Sequence, residues 1–127
     1  MDKIENKISY DIRGAAFNVY NNLGPGLLES VYEAAMSFEL KEAGHKIKRQ
    51  VGLPVKYKSE ELELGFRLDL LVDKKVIIEI KSVDALAPVY YKQLLTYLRL
   101  TDLKLGILIN FNSDDLGKNI KRVVNNL

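Results

Sequence analysis

The sequence predicts an α/β protein in which a mixed central β-sheet is flanked by helices and preceded by an N-terminal helical hairpin. Three observations carry this reading. Apolar residues recur every three or four positions through roughly the first 43 residues. Two Val-, Ile- and Leu-rich runs meet across the polar tripeptide Asp73-Lys74-Lys75. A further amphipathic helix then leads into the nearly unbroken apolar stretch from Leu105 to Phe111. A hairpin joined through a crossover helix to a buried strand makes a sheet with both antiparallel and parallel neighbours, with helices packed on it. Repeats, linkers and low-complexity segments are absent from the sequence.

In chain order, Ile4, Ile8, Ile12, Ala15, Ala16, Val19 and Leu23 mark a helix over about residues 3–22, stopped by Gly24-Pro25-Gly26. A second helix is expected over about 27–43, with Leu27, Leu28, Val31, Ala34, Ala35 and Phe38 as its inward stripe and Gly44 at its end. His45 follows in the exit and reads as a solvent-facing loop residue, with nothing nearby to orient it. Period two then begins, placing Val51, Leu53, Val55 and Tyr57 on one face of a strand, and Ser59-Glu60 turns into a strand over about 62–72. The third strand covers about 76–81. Pro88 suits the first turn of a helix running to about Leu100, with Val89, Leu94, Leu95 and Leu98 inward. After the apolar strand, Asn112-Ser113-Asp114 offers a cap for a short helical turn. Residues 120–124 fit either a last helical turn or an edge strand.

The central hairpin carries charges that apolar strands do not ordinarily hold. Asp69 sits inside one run, and Glu79 and Lys81 sit two residues apart in the next. A buried carboxylate or ammonium is costly unless it is paired or holds a metal, and two acids with a base can satisfy one another around a cation. Alternation puts Glu79 and Lys81 on one face, with Ile78 and Ile80 on the other. A three-residue connection at 73–75 places Asp69 opposite Glu79 and Leu71 opposite Ile77, whereas a two-residue connection sends Glu79 to the wrong side. The chemistry therefore predicts an odd loop or a bulge. Arg67 falls on the Asp69 face, and no role is assigned to it.

Composition narrows the function. At 127 residues the chain is read as one domain, residues 1–127, large enough for a core without disulfides. It has no cysteine and one histidine, which leaves zinc without its usual ligands and fits a reducing compartment. No signal pattern or membrane-length apolar run is present, so a cytoplasmic protein with no membrane partner is expected. The net charge of +2 is scattered, with Lys46, Lys48, Arg49 and Lys118, Lys121, Arg122 as its densest groups, and does not by itself imply nucleic acid.

Asp69 followed by Glu79-Ile80-Lys81 on consecutive strands, then a helix and another strand, resembles the PD-(D/E)xK nuclease superfamily, which has the restriction-endonuclease-like fold. Gln93-Leu94-Leu95-Thr96-Tyr97 is similar to the Gln-x-x-x-Tyr motif of RecB-type nucleases within it. Gly26-Leu27-Leu28-Glu29-Ser30-Val31-Tyr32 is similar to the signature of the small GxxExxY proteins. With Leu23-Gly24-Pro25-Gly26 and Leu108-Ile109-Asn110-Phe111, the similarity covers nearly the whole chain. Two places where this family commonly has histidine are filled here by Tyr20 and Tyr90.

The resemblance implies a Mg²⁺- or Mn²⁺-dependent nuclease hydrolysing phosphodiester bonds, with DNA preferred over RNA as the partner. Asp69, Glu79, the Ile80 carbonyl and Glu29 would hold the metal. Lys81 would hold or deprotonate the attacking water and stabilise developing charge. Gln93, Tyr97 and Tyr32 would contact substrate phosphates, since each pairs with its motif partner one helical turn away. With no room for a recognition domain, low sequence specificity is expected unless a second copy (a homodimer) or a protein partner adds surface. The rival reading is a non-catalytic domain of the same fold that binds nucleic acid or protein. Blander readings exist for each residue: an ion-pair network for Asp69, Glu79 and Lys81, a helix-dipole acid for Glu29, and sheet support for Gln93 and Tyr97.

Overall fold

The computed structural model describes residues 3–127, leaving aside the side chains of Glu63 and Leu64. Helix α1, Ile4–Leu23, buries Ile8, Ile12, Ala15, Ala16 and Val19, the middle of the expected stripe, and leaves Ile4 and Leu23 outside. Gly24 (φ 69°) and Gly26 (φ 95°) take the left-handed backbone that reverses the chain. Helix α2, Glu29–Glu42, differs from expectation. It buries Tyr32, Glu33, Met36, Ser37 and Leu40, whereas Leu28, Val31 and Phe38 of the expected stripe are exposed. The inward face is set by what it must reach. Tyr32 stacks on Phe111 with ring centroids 4.4 Å apart, and Glu33 bonds to Arg49 and Gln50.

The five strands are β1, Ile47–Tyr57; β2, Glu60–Val72; β3, Val76–Lys81; β4, Leu105–Asn110; and β5, Ile120–Val124. They lie in the order β1-β2-β3-β4-β5, with β3 and β4 parallel and every other pair antiparallel. The parallel pair needs a crossover, and helix α3, Pro88–Thr101, supplies it. Val89, expected inward, is exposed on this helix; Leu94, Tyr97 and Leu98 are buried. The tail resolves as a short 3₁₀ turn at Leu116–Asn119, capped by the Asp115 carboxylate accepting from Lys118 N, followed by the edge strand β5.

Helices α1 and α2 cover one face of the sheet and α3 the other. Leu70, Val72, Val76, Ile78, Ile80, Ile107 and Ile109 pack in the first layer, and Ile77 and Leu108 pack with Leu94, Tyr97 and Leu98 in the second. None of the described helices is long and apolar enough to cross a membrane.

The β2–β3 connection has the odd length the charges require. Val72 pairs with Val76, Leu71 with Ile77 and Leu70 with Ile78, across a three-residue loop. Asp73 (φ 53°) and Lys74 (φ 56°) both adopt the left-handed region, and Lys75 N donates to Val72 O at 2.9 Å. The loop is also tied from outside, which corrects the reading of His45. Its Nδ1 lies 2.6 Å from Asp73 and its Nε2 2.7 Å from Asp11 of α1, so the imidazole is clasped between two carboxylates.

Past Leu70, β2 loses β3 as a neighbour, and β1 with the rest of β2 continues as a two-stranded arm. The arm rolls over at Gln50, whose φ is 51°. Ile47 and Leu70 pack in the α1–α2 layer, whereas Val51, Leu53 and Leu68, of the same parity along their strands, pack with α3. Phe66 then lies against Tyr97 at 5.1 Å between ring centroids.

Candidate active site

Asp69 stands where β2 and β3 part. The ladder ends at Leu70 and Ile78, and the next residue of β2 turns its carboxylate onto β3, accepting the Ile80 N–H at 2.8 Å. Strand β3 meanwhile continues on β4, with Glu79 beside Leu108 and Lys81 beside Asn110. Glu79 shares the parity of Ile77 and so faces the α3 layer, 6 % exposed, with Oε1 lacking any hydrogen-bond partner. Burial, then the Asp69 charge and a hydrogen bond with Asp69, push its carboxyl up to about 9, against the opposing pull of Lys81. The two carboxyl groups therefore share one site, in which Glu79 favours its neutral form at pH 7.

From α3, Tyr97 closes this site. Its hydroxyl is pushed up to about 12 by burial and by the charges of Glu79 and Asp69, while a hydrogen bond with Gln93, one turn earlier on the exposed side of the helix, works the other way. Lys81, half-buried, holds its ammonium 4.7 Å from the centre of the Tyr90 ring in the first turn of α3, within cation–π range. The backbone after Lys81 is fixed by Asn110. This fully buried side chain accepts from Val83 N at 3.1 Å and donates to Val83 O at 2.9 Å.

On the α2 side a cleft of about 180 Å³ is lined by Glu29, Ser30, Glu33, Gln50, Asp69 and Ile80. Glu29, exposed in the first turn of α2, accepts the Ser82 N–H at 3.1 Å, and Ser82 Oγ donates to Leu27 O at 2.7 Å. These bonds stitch the end of β3 to the start of α2. Glu33 and Gln50 were not singled out from the sequence, yet both enter the cleft. Glu33, 6 % exposed, accepts from Arg49 at 3.0 Å and from the Gln50 amide. The one signal for Glu33 is its position four residues after Glu29 on the same helix face. Tyr32 differs from its expected substrate contact. It is fully buried, and its hydroxyl donates to Gly24 O at 2.6 Å and accepts from Leu27 N at 3.1 Å, which holds the turn between the helices.

Residues 6–123 match the family model described as the PD-(D/E)XK nuclease superfamily. The chain belongs to this superfamily. Its mixed sheet, crossover helix and leading helical hairpin are the restriction-endonuclease-like arrangement. No curated protein and no solved structure matches the chain. As a member of the PD-(D/E)XK superfamily, the protein has a donor set suited to a hard divalent cation: carboxylate oxygens at Asp69 and Glu79, one of them buried and unpaired. Among the described residues no three His, Cys, Asp or Glu side chains are gathered into a cage, and Glu29 stands in the wall of the cleft engaged with Ser82. Tyr20 and Tyr90, the two tyrosines at the histidine places, have separate partners: Tyr20 donates to the Ser113 carbonyl, and Tyr90 lies beneath Lys81.

Proposed function

We propose that this protein is a divalent-metal-dependent nuclease that hydrolyses phosphodiester bonds, with DNA preferred over RNA. The observation that carries the reading is the Glu79 carboxyl, buried beside Asp69 with Oε1 unpaired. A fold has little reason to bury one acid against a second, half-buried one unless a cation joins them. Asp69, Glu79 and the Ile80 carbonyl would hold Mg²⁺ or Mn²⁺, with Glu29 reaching in from the cleft wall. When bound, the cation polarises the phosphoryl oxygen and makes water a stronger nucleophile.

The chain's own groups supply the rest. Glu79 would have to release its proton for the site to hold a cation, so cation affinity would rise with pH. Lys81, seated against Tyr90 on the same strand face as Glu79, presents an ammonium to the charge that develops on the phosphoryl group. Tyr97 and Gln93 form a polar wall on the α3 side, where a substrate phosphate would meet the Gln93 amide first because Gln93 is the exposed member of the pair.

The test is a panel of single-stranded, duplex and branched DNA with matching RNA, incubated with purified protein in Mg²⁺, Mn²⁺ or EDTA. Cation-dependent cleavage of at least one DNA form supports the reading. Binding without cleavage of any form in either cation would replace it with a non-catalytic module.

A further inference from the structure

Gly52 and Arg67 face one another across the β1–β2 arm, both exposed, on the side turned away from the residues that pack on α3. Neither backbone conformation nor crowding requires glycine at 52. Its φ is not in the left-handed region, and a Cβ there would meet nothing within 4 Å. Gly65 is the contrast, since a Cβ at that position would lie 1.9 Å from the Leu53 carbonyl oxygen. A strand glycine marks a bulge, a tight bend or a place where a ligand or another backbone comes close, and Gly52 adds to its place between the Gln50 bend and the Leu53 register shift an open, side-chain-free surface.

Gly52, Pro54 and Gly65, with Leu53, Phe66 and Arg67, surround a concavity of about 260 Å³. Arg67 Nη1 donates to Gln50 O at 3.3 Å, and Gln50 lines the cleft that contains Asp69. Among the described residues no carboxylate lies within ion-pair distance of Arg67. A permanently charged guanidinium with free N–H groups is suited to phosphate. It stands two residues before Asp69, about 6–7 Å along the strand.

We propose that the outer face of the arm at Gly52 and Arg67 is a phosphate-binding track that leads one strand of a nucleic acid into the cleft at Asp69. The proposal takes its ligand class from the nuclease reading. Arg67 anchors a phosphate next to the reacting one, and the bare backbone at Gly52 lets the polynucleotide lie close.

The test measures affinity without turnover, by anisotropy of a short fluorescein-labelled single-stranded DNA in EDTA across a salt series. Arg67→Ala is expected to weaken binding about tenfold and to reduce the salt slope by about 0.7, one phosphate contact on a single strand. Gly52→Val is expected to weaken it about fivefold while leaving Tm unchanged or higher, because valine suits a strand. Gly52→Ala takes its place if valine lowers Tm. Lys74→Ala, which removes the same charge in the β2–β3 loop, should stay within twofold of wild type. Arg67→Ala or the glycine variant within twofold of wild type, a loss in Lys74→Ala equal to that in Arg67→Ala, or wild type that does not bind at all would each overturn the track. A protein that binds as expected but never cuts leaves the track standing and removes the nuclease reading. One that cuts with both variants unaffected does the reverse.

Discussion

At the residue scale, Glu79 sets the protein's response to pH and to metal. Its folded pKa of about 9 lies above its ordinary 4.5, so the folded state binds the proton more tightly than the unfolded one. The stability this contributes is full below pH 4.5 and is lost as pH rises toward 9. Glu79→Gln keeps the size and removes the titration. In EDTA near pH 8 it should stabilise the protein by up to about 5 kcal/mol and flatten the fall of Tm with pH, given ~1.4 kcal/mol per pKa unit over the interval from 4.5 to 8. Scanning calorimetry of both proteins across pH checks this; a wild-type Tm that rises through the same range would contradict it. His45 acts in the same direction for another reason. Both ring nitrogens face carboxylates, which requires the imidazolium. Burial alone would lower its pKa, but the hydrogen bonds and charges of Asp73 and Asp11 outweigh burial and raise it above 6.5. The stability it adds is complete below pH 6.5 and disappears as pH rises through the folded pKa. His45→Gln should therefore lower Tm most in mildly acidic solution, with the difference shrinking in alkali, as thermal melts at paired pH values would show. Asp73, held low chiefly by its bond to His45 against its own burial, loses its share only as pH falls below 3.8.

At the scale of elements, the β1–β2 arm depends on one glycine for its shape. The register shifts between Leu53 and Val55, so that four residues of β2 span two of β1, and Gly65 sits in the extra length against the Leu53 carbonyl. Gly65→Ala would drive a methyl into backbone that cannot turn aside. We expect a loss of about 2–3 kcal/mol, within the range for overpacking, in urea denaturation. A loss below roughly 0.5 kcal/mol, the size of an ordinary surface change, would show that the arm can open. Much of the element level was legible in the sequence because it depends on local pattern. The extents of α1, α3 and β4 follow from periodicity, and the three-residue β2–β3 loop follows from requiring Asp69 and Glu79 on one face. Helix α2 was misread because Leu28, Val31 and Phe38 satisfy the same spacing rule as a core stripe. The face that is buried is chosen instead by tertiary partners: Phe111 for Tyr32, Arg49 and Gln50 for Glu33. His45 failed for a like reason, since Asp11 lies 34 residues before it and Asp73 28 after.

For the whole molecule, the site is a consequence of how the sheet divides. Strand β3 stays with β4 while β2 leaves with β1, and the gap between them holds Asp69 and Glu79, with α3 closing one side and the start of α2 the other. The residues of the strands were visible from the sequence because charge inside an apolar run is conspicuous. The walls were not, because Glu33, Gln50 and Asn110 look like ordinary polar residues until the fold brings them in. In the proposed reaction Asp69 and Glu79 hold a cation while Lys81 stabilises charge. These roles are tested most directly by cleavage of DNA in Mn²⁺ by wild type, Lys81→Ala and Asp69→Ala, with cation affinity of each measured by calorimetry on the same preparations. We predict that Lys81→Ala binds the cation within about threefold of wild type and loses turnover by about 10³ or more, whereas Asp69→Ala loses both. A Lys81→Ala protein that still cuts at the wild-type rate, or an Asp69→Ala protein that retains full cation affinity, would contradict the account.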